Sequence, residues 1–365
     1  MKFRCERDTL AEAVATAQRT VASRTGALPV LQDLRITATT DGIEVVGSDL
    51  EITNRVQAPA DVERTGLAVI PKILGEIVRR LAPDEVVTVE VEGEEAHISA
   101  GNFTTSLRLK AAEDYPRLLP TTGSGVKVDA AEFAGALRQV VRAASKDDLR
   151  PILTGVLLAS QPSGLRLVAT DSYRLAMRDL EGVSMLPEGQ RVLVAAKGLA
   201  EVQRLAGDGE IEVVLGEREV VFRTSRAEVT ARLIDGDFPN YEQLIPTGYP
   251  NHLTVAKDVL LDALSRVEIV GQSRDNASVR LEMSSDGLQL SLTAQDVGSA
   301  EERVEAAYDG QEMTVAFNPQ FLKEGVDAVD ADEVVLEALD PLKPATLRPA
   351  DGTAFLYLLM PVRTS

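Results

Sequence analysis

Residues 156–180 read VLLASQPSGLRLVATDSYRLAMRDL, and the same pattern occurs twice more in the chain. Residues 34–56 read LRITATTDGIEVVGSDLEITNRV, and residues 279–304 read VRLEMSSDGLQLSLTAQDVGSAEERV. Each copy follows a helix-like run and alternates apolar with polar residues through a strand, a turn and a second strand. The turn glycines Gly42, Gly164 and Gly287 stand 122 and 123 residues apart, and Asp49, Asp171 and Asp296 keep nearly the same spacing. That period is too long for a solenoid unit. It predicts three copies of a whole domain, at 1–120, 121–247 and 248–365, which suits a chain of 365 residues.

Each copy has a second half. Residues 67–109, 192–233 and the run from Met313 each read strand, helix, strand, turn, strand. Alternation is clean over 85–92 and 210–215. The first two copies close on matching tails, EDYPRLLP from Glu113 and GDFPNYEQLIP from Gly236, which read as ordered linkers. A domain is thus β-α-β-β twice over, an α+β unit with two short helices on two small antiparallel sheets. The helices are amphipathic. Over 129–146, Phe133, Leu137, Val140, Val141 and Ala144 share one face, with Asp129 and Glu132 spaced as a capping box. Leu10, Val14, Ala17 and Val21 form the matching stripe in the first copy.

Composition is that of a globular protein, 44% hydrophobic and 26% charged, with a net charge of −19. A chain so acidic approaches nucleic acid only where its positive charge is segregated. Arg138, Arg142 and Lys146 fall at i, i+4 and i+8, opposite the apolar stripe of their helix. Lys72, Arg79 and Arg80 lie opposite Leu74, Val78 and Leu81. Arg19, Lys197, Arg204, Arg266 and Lys323 take polar faces of the other predicted helices, while acids gather in strands and turns such as 90–95 and 301–305. On any one helix this is an ordinary solvated face. If all six helices line one surface, it is an electropositive track suited to phosphate contacts without base readout.

The single cysteine, Cys5, excludes an internal disulfide framework and any multi-cysteine metal site, and reads as a small buried hydrophobe. His97 and His252 have no neighbour suited to a triad or a metal pair. The pairs Asp147-Asp148, Glu94-Glu95 and Glu301-Glu302 read as solvated. No phosphate-cradling GxxxxGK[ST] or GxGxxG occurs. No apolar signal core or membrane-length span is present, so the expectation is a cytosolic protein without cofactor or metal, and the sequon-like Asn276-Ala277-Ser278 is a chance match.

Three repeats of this kind, with VATDSYRLA in the middle one and LYLLMPVR near the end, resemble the bacterial DNA polymerase III beta subunit, the replicative sliding clamp family. The resemblance covers the whole chain. It implies the DNA clamp fold, two chains joined head to tail in a dimeric ring, helices lining the hole and sheets outside. It implies a non-catalytic processivity factor on double-stranded DNA, contacted without sequence preference by Arg24, Lys72, Arg79, Arg138, Arg142, Lys146, Arg150, Lys197 and Arg266. Ring closure would set an edge strand near 102–109 against Ile269 and Val270 of the other chain. The resemblance also implies a pocket for a short linear peptide of the replicative polymerase alpha subunit, the clamp loader and repair proteins. Its walls would be Leu153, Thr170, Arg174, Leu175, Pro239, Leu244, Met360, Pro361 and Val362, with Asn318, Leu342, Pro344 and Arg363 as neighbours. Leu, Met and Pro offer an apolar slot for anchor residues, and a few polar groups orient the peptide.

The chain departs from the family pattern at Ser172-Tyr173, where Gly-His is common. It departs again at Gln243 and Asn276, and at its last residues Val362-Arg363-Thr364-Ser365, where a terminal Arg-Leu is usual. Each touches the expected pocket. Two rival readings follow: an enzyme of pseudosymmetric domains, for which no chemistry-bearing residues are present, and a diverged clamp paralogue that tolerates a clamp-binding inhibitor.

Overall fold

The computed structural model describes residues 1–22, 28–118, 123, 125–271, 277–352 and 354–363. Six α-helices occur among them: α1 (Arg7–Gln18), α2 (Leu74–Arg80), α3 (Ala130–Val140), α4 (Ala196–Leu205), α5 (Lys257–Val267) and α6 (Pro319–Ala328). Each is preceded by a strand, and the first helix of each repeat is followed by three antiparallel strands rather than two. The third strand begins just after the repeated aspartate region: Ile52–Ala58, Arg174–Glu181 and Gly298–Val304. It also explains the turn glycines. A Cβ on Gly42 would come 2.6 Å from the Ala58 carbonyl oxygen, and one on Gly164 would come 1.9 Å from that of Leu180. Both residues carry positive φ, 132° and 155°. Only glycine lets the turn lie on the third strand.

The chain divides into two compact units that do not follow the repeat boundaries: 1–131 with 197–233, and 132–196 with 234–365. The first holds a five-stranded sheet and an eight-stranded one. The eight-stranded sheet runs Val126–Asp129, Glu210–Leu215, Glu219–Arg223, Glu228–Arg232, Ile52–Ala58, Gly42–Ser48, Leu34–Thr39, Gly66–Ile70. Strand Glu228–Arg232 of the middle repeat therefore pairs with Ile52–Ala58 of the first, with Arg55 opposite Glu228. The second unit repeats this junction in a nine-stranded sheet, where Arg174–Glu181 pairs with Phe355–Leu359 and Leu175 faces Leu358. Its other sheet has four strands. One sheet of the first repeat is thus continued by the middle repeat, and one of the middle repeat by the third, which removes the unpaired edges at those two junctions.

The apolar stripes are buried as the periodicity predicts: Leu10, Val14 and Ala17 are inaccessible, and so are Leu137 and Val140. The helix expected over 129–146 is shorter. It gives way to a 3-10 turn over Val141–Ala143, and Lys146 lies beyond it. Two bonds end the helix there: Ser145 N–H donates to the Leu153 carbonyl at 2.8 Å, and Arg174 Nη2 donates to the Arg142 carbonyl at 2.6 Å. The Arg142 carbonyl, left free at this end, is met by the protein itself. Arg138, Arg142 and Lys146 therefore do not form one helical row. Likewise Val21 lies past α1, and Lys72 precedes α2.

Candidate functional site

In the second unit an aspartate turn sets the site. Asp171 Oδ1 accepts from the amides of Tyr173 at 2.9 Å and Arg174 at 3.0 Å. Ser172 sits in the left-handed region at φ 82°, a conformation that costs a non-glycine residue about 1 kcal/mol. The turn presents the Tyr173 carbonyl to the Met360 amide at 2.9 Å, and one step further Val362 N–H donates to the Ala316 carbonyl at 2.8 Å. Thr170 Oγ1 donates to the Arg174 carbonyl at 2.7 Å, closing the turn from below. Beneath lies an apolar cluster of Leu157, Val168, Leu175, Leu193, Tyr241 and Leu358 with Phe238 and Ile245 at its border.

The expected pocket residues divide by exposure. Leu175 is 1% exposed and Leu153 8%, so both are buried. Leu244 is 51% exposed, Met360 42%, Val362 39% and Leu342 69%, so they offer free apolar surface. Pro239 and Arg363 are exposed, and Pro344 and Pro361 half-buried. Pro344 immediately precedes Ala345, which pairs with Leu359. Register therefore brings Pro344 opposite Met360. Asn318 caps α6, accepting from Phe321 N–H at 3.1 Å. Arg174 is different. Its side chain is 6% exposed, and its Nε donates to Asp171 at 3.0 Å. Nη1 donates to Glu324 and to the Tyr357 hydroxyl. The guanidinium carbon lies 4.3 Å from the Phe321 ring centroid. Burial works against its charge, but Tyr357 and Glu324 outweigh it, so the Arg174 pKa sits above the arginine range. Arg174 thus braces the turn from within. Sequence reasoning missed Tyr241, Phe321 and Tyr357. The Phe238-Pro239-Asn240-Tyr241 tail was a visible signal for the first, and none marked the others.

Of the residues expected to contact DNA, those described are exposed or half-buried, and most hold a carboxylate. Arg142 lies 2.6 Å from Asp327, Arg138 3.5 Å from Asp330 and Arg150 3.1 Å from Asp147. Arg79 and Arg80 share Glu76, and Arg266 bonds Glu302. Lys72, Lys146 and Lys197 are exposed and have no carboxylate partner among the described residues. Arg24, Asn276, Thr364 and Ser365 lie outside the described residues.

His97 Nδ1 meets Ser106 Oγ at 2.8 Å, and His252 Nε2 donates to the Tyr249 carbonyl at 2.8 Å. Cys5 is buried, its thiol donating to the Pro59 carbonyl at 3.4 Å, and burial pushes its pKa up to about 11. Among the described residues no group of three or more His, Cys, Asp or Glu is placed to hold a metal ion.

Three family models cover the chain in order. They are the DNA polymerase III beta subunit N-terminal domain over 1–120, its central domain over 127–240 and its C-terminal domain over 242–363. The chain belongs to the DNA polymerase III beta subunit family, the beta sliding clamps. It is 34% identical to the Streptomyces coelicolor beta sliding clamp and 31% identical to that of Synechococcus elongatus, over 100% of this chain and 100% and 99% of theirs. Among solved structures it is similar over both full chains to the Bacillus subtilis clamp, at 26% identity and TM-score 0.89. It is likewise similar to the Pseudomonas aeruginosa clamp bound to griselimycin, at 27% and 0.88. The sliding clamp fold is thereby established, and with it the function: a DNA sliding clamp, a non-catalytic processivity factor of replication. These likenesses support the clamp reading and lend nothing to an inhibitor-tolerant paralogue.

Proposed function

We propose that this clamp closes as a homodimer ring around double-stranded DNA in the cytoplasm. It would tether the replicative polymerase alpha subunit, the clamp loader and repair proteins by a peptide seated between Leu244 and Met360. The three repeats, 1–120, 121–247 and 248–365, would be its domains. One observation carries the tethering: four apolar side chains, Leu244, Leu342, Met360 and Val362, stand exposed on segments that adjoin, in sequence, the Tyr241 turn and the strands Ala345–Pro349 and Phe355–Leu359. Exposed apolar surface over a rigid floor is what a peptide anchor needs. The griselimycin-bound clamps support a ligand-receiving site in the family.

For ring closure, strand Phe103–Arg108 is an edge of the five-stranded sheet, and Phe103 is 42% exposed beside a 510 Å³ cavity it shares with Ile77 and Leu81. Ile269 is 61% exposed. An apolar cavity in the first unit and an exposed isoleucine in the second suit a head-to-tail contact between two chains. Light scattering tests this. The 39.2 kDa chain should run as a dimer, and Ile269→Asp should run as a monomer. A wild-type monomer at micromolar concentration refutes the ring. Tethering to DNA then acts through effective concentration, with weak phosphate contacts that permit sliding.

A further inference from the structure

The first unit contains a second copy of the geometry that builds the peptide site. Asp49 Oδ1 accepts from the amides of Glu51 and Ile52 at 3.0 and 2.8 Å, as Asp171 does from Tyr173 and Arg174. Leu50 takes the left-handed conformation, φ 73°, that Ser172 takes. Arg232 N–H donates to the Glu51 carbonyl at 2.9 Å, the bond Met360 makes to Tyr173. Tyr115 is buried on Val69 and Leu31, with Leu118 against the cluster, as Tyr241 is buried on Leu193. In this register Arg232 stands where Met360 stands, Thr53 where Leu175, Leu118 where Leu244, and Glu219 where Pro344.

A cavity of 340 Å³ occupies this place, and these positions line it together with Leu50 and Arg117. The backbone is that of the peptide site, but the side chains are not. Three arginines face two glutamates. Arg55 is locked by Glu44 at 3.1 Å and Glu228 at 3.3 Å. Arg232 holds Glu51 at 3.3 Å in an exposed pair, which a competing carboxylate displaces at little cost. Arg117 is exposed and has no carboxylate partner among the described residues. Leu50, 39% exposed, supplies apolar wall between these charges.

We infer that this cavity is a second binding site, selective for an acidic peptide segment. One aliphatic side chain packs on Leu50 and Leu118, and flanking carboxylates pair with Arg117 and Arg232. The correspondence rests on the peptide site proposed above, while the cavity and its charge stand without it. Arg117, without a carboxylate partner among the described residues, and Arg232, held only in an exposed pair, are the two guanidinium groups the cavity offers to an anionic ligand. The leucines favour a peptide over a bare anion, which would leave them unused. An extended peptide accepted at one junction fits the other because the turn and strand register are the same.

The test is fluorescence anisotropy on the full-length protein, with labelled Glu-Asp-Leu-Asp-Glu and its uncharged analogue Gln-Asn-Leu-Asn-Gln. The acidic peptide is expected to bind about tenfold or more tightly than the analogue, since charge-assisted bonds are about twice as strong as neutral ones. Arg117→Ala and Arg232→Ala each weaken it, as does Leu118→Ala, whereas Met360→Ala leaves it unchanged. Equal binding of both peptides overturns the proposal, as does no binding, or loss on Met360→Ala alone. Inorganic phosphate competing with the same arginine dependence, with Leu118→Ala silent, overturns the peptide assignment. An apolar leucine-phenylalanine peptide titrated in parallel reports on the other site. If Met360→Ala spares that peptide, the first site fails while this one remains separately decided.

Discussion

Arg174 and Phe321 stack with the guanidinium carbon 4.3 Å from the ring centroid, and the same guanidinium bonds Asp171 and Glu324. A charge this buried is held because each of its three nitrogens has a partner, and removing it strands two carboxylates. Arg174→Met is expected to destabilise the protein by about 3 kcal/mol or more, the usual result of breaking a buried pair. Arg174→Lys should recover little of this, since an ammonium cannot stack and bond in a fork. Denaturant unfolding measures both. A loss below 1 kcal/mol, or full recovery in Arg174→Lys, contradicts the role assigned.

Leu175 and Leu244 should respond differently to truncation. Leu175 belongs to the buried cluster, so Leu175→Ala is expected to cost about 2–5 kcal/mol of stability. Leu244 and Met360 are half exposed, so Leu244→Ala and Met360→Ala should leave the melting temperature nearly unchanged while weakening a polymerase peptide about tenfold or more. Calorimetric titration beside thermal unfolding separates the two effects. Wild-type peptide affinity in both alanine variants removes these residues from the pocket.

Asp327 and Asp330 neutralise Arg142 and Arg138. Asp327→Asn with Asp330→Asn keeps the shapes and frees two cations. Binding to short linear duplex should tighten at low salt, and the slope of log affinity against log salt should steepen by about 0.9 per freed arginine. Unchanged slopes would place these arginines away from the phosphates.

The Tyr115 hydroxyl is buried without a hydrogen-bond partner among the described residues, and burial pushes its pKa up to about 12. The folded state holds this proton more tightly than the unfolded chain, whose tyrosine titrates near its ordinary value of about 10. The stability it contributes is therefore full below pH 10 and falls as pH rises toward 12. Tyr115→Phe is expected to be neutral or stabilising at pH 7, because no hydrogen bond is lost, and to lessen the alkaline loss. Destabilisation by more than 1 kcal/mol at pH 7 would mean the hydroxyl is bonded.

Much of this was legible in one dimension. The 122-residue spacing of Gly42 and Gly164 reflects a turn pressed on a third strand, and a missing Cβ is visible in any sequence. Alternation located strand Glu210–Leu215, and the apolar stripe located α3, because burial on one face leaves a period. The end of α3 was not legible. It depends on Arg174 reaching the Arg142 carbonyl from 32 residues away, and no local pattern encodes that.

The sequence by itself determined the threefold repeat, the α+β alternation, the poverty of catalytic groups and the family, since each is written in local spacing and residue type. Tertiary structure alone decided which charges stay free. Arg138, Arg142, Arg150 and Arg174 look alike as letters, yet the first three meet carboxylates at the surface and the fourth is sealed inside. It also decided that strand Glu228–Arg232 extends the first repeat's sheet and Phe355–Leu359 the middle one's. Backbone pairing between distant strands is set by which edges remain unpaired once every local hairpin has closed, and that is a property of the folded chain.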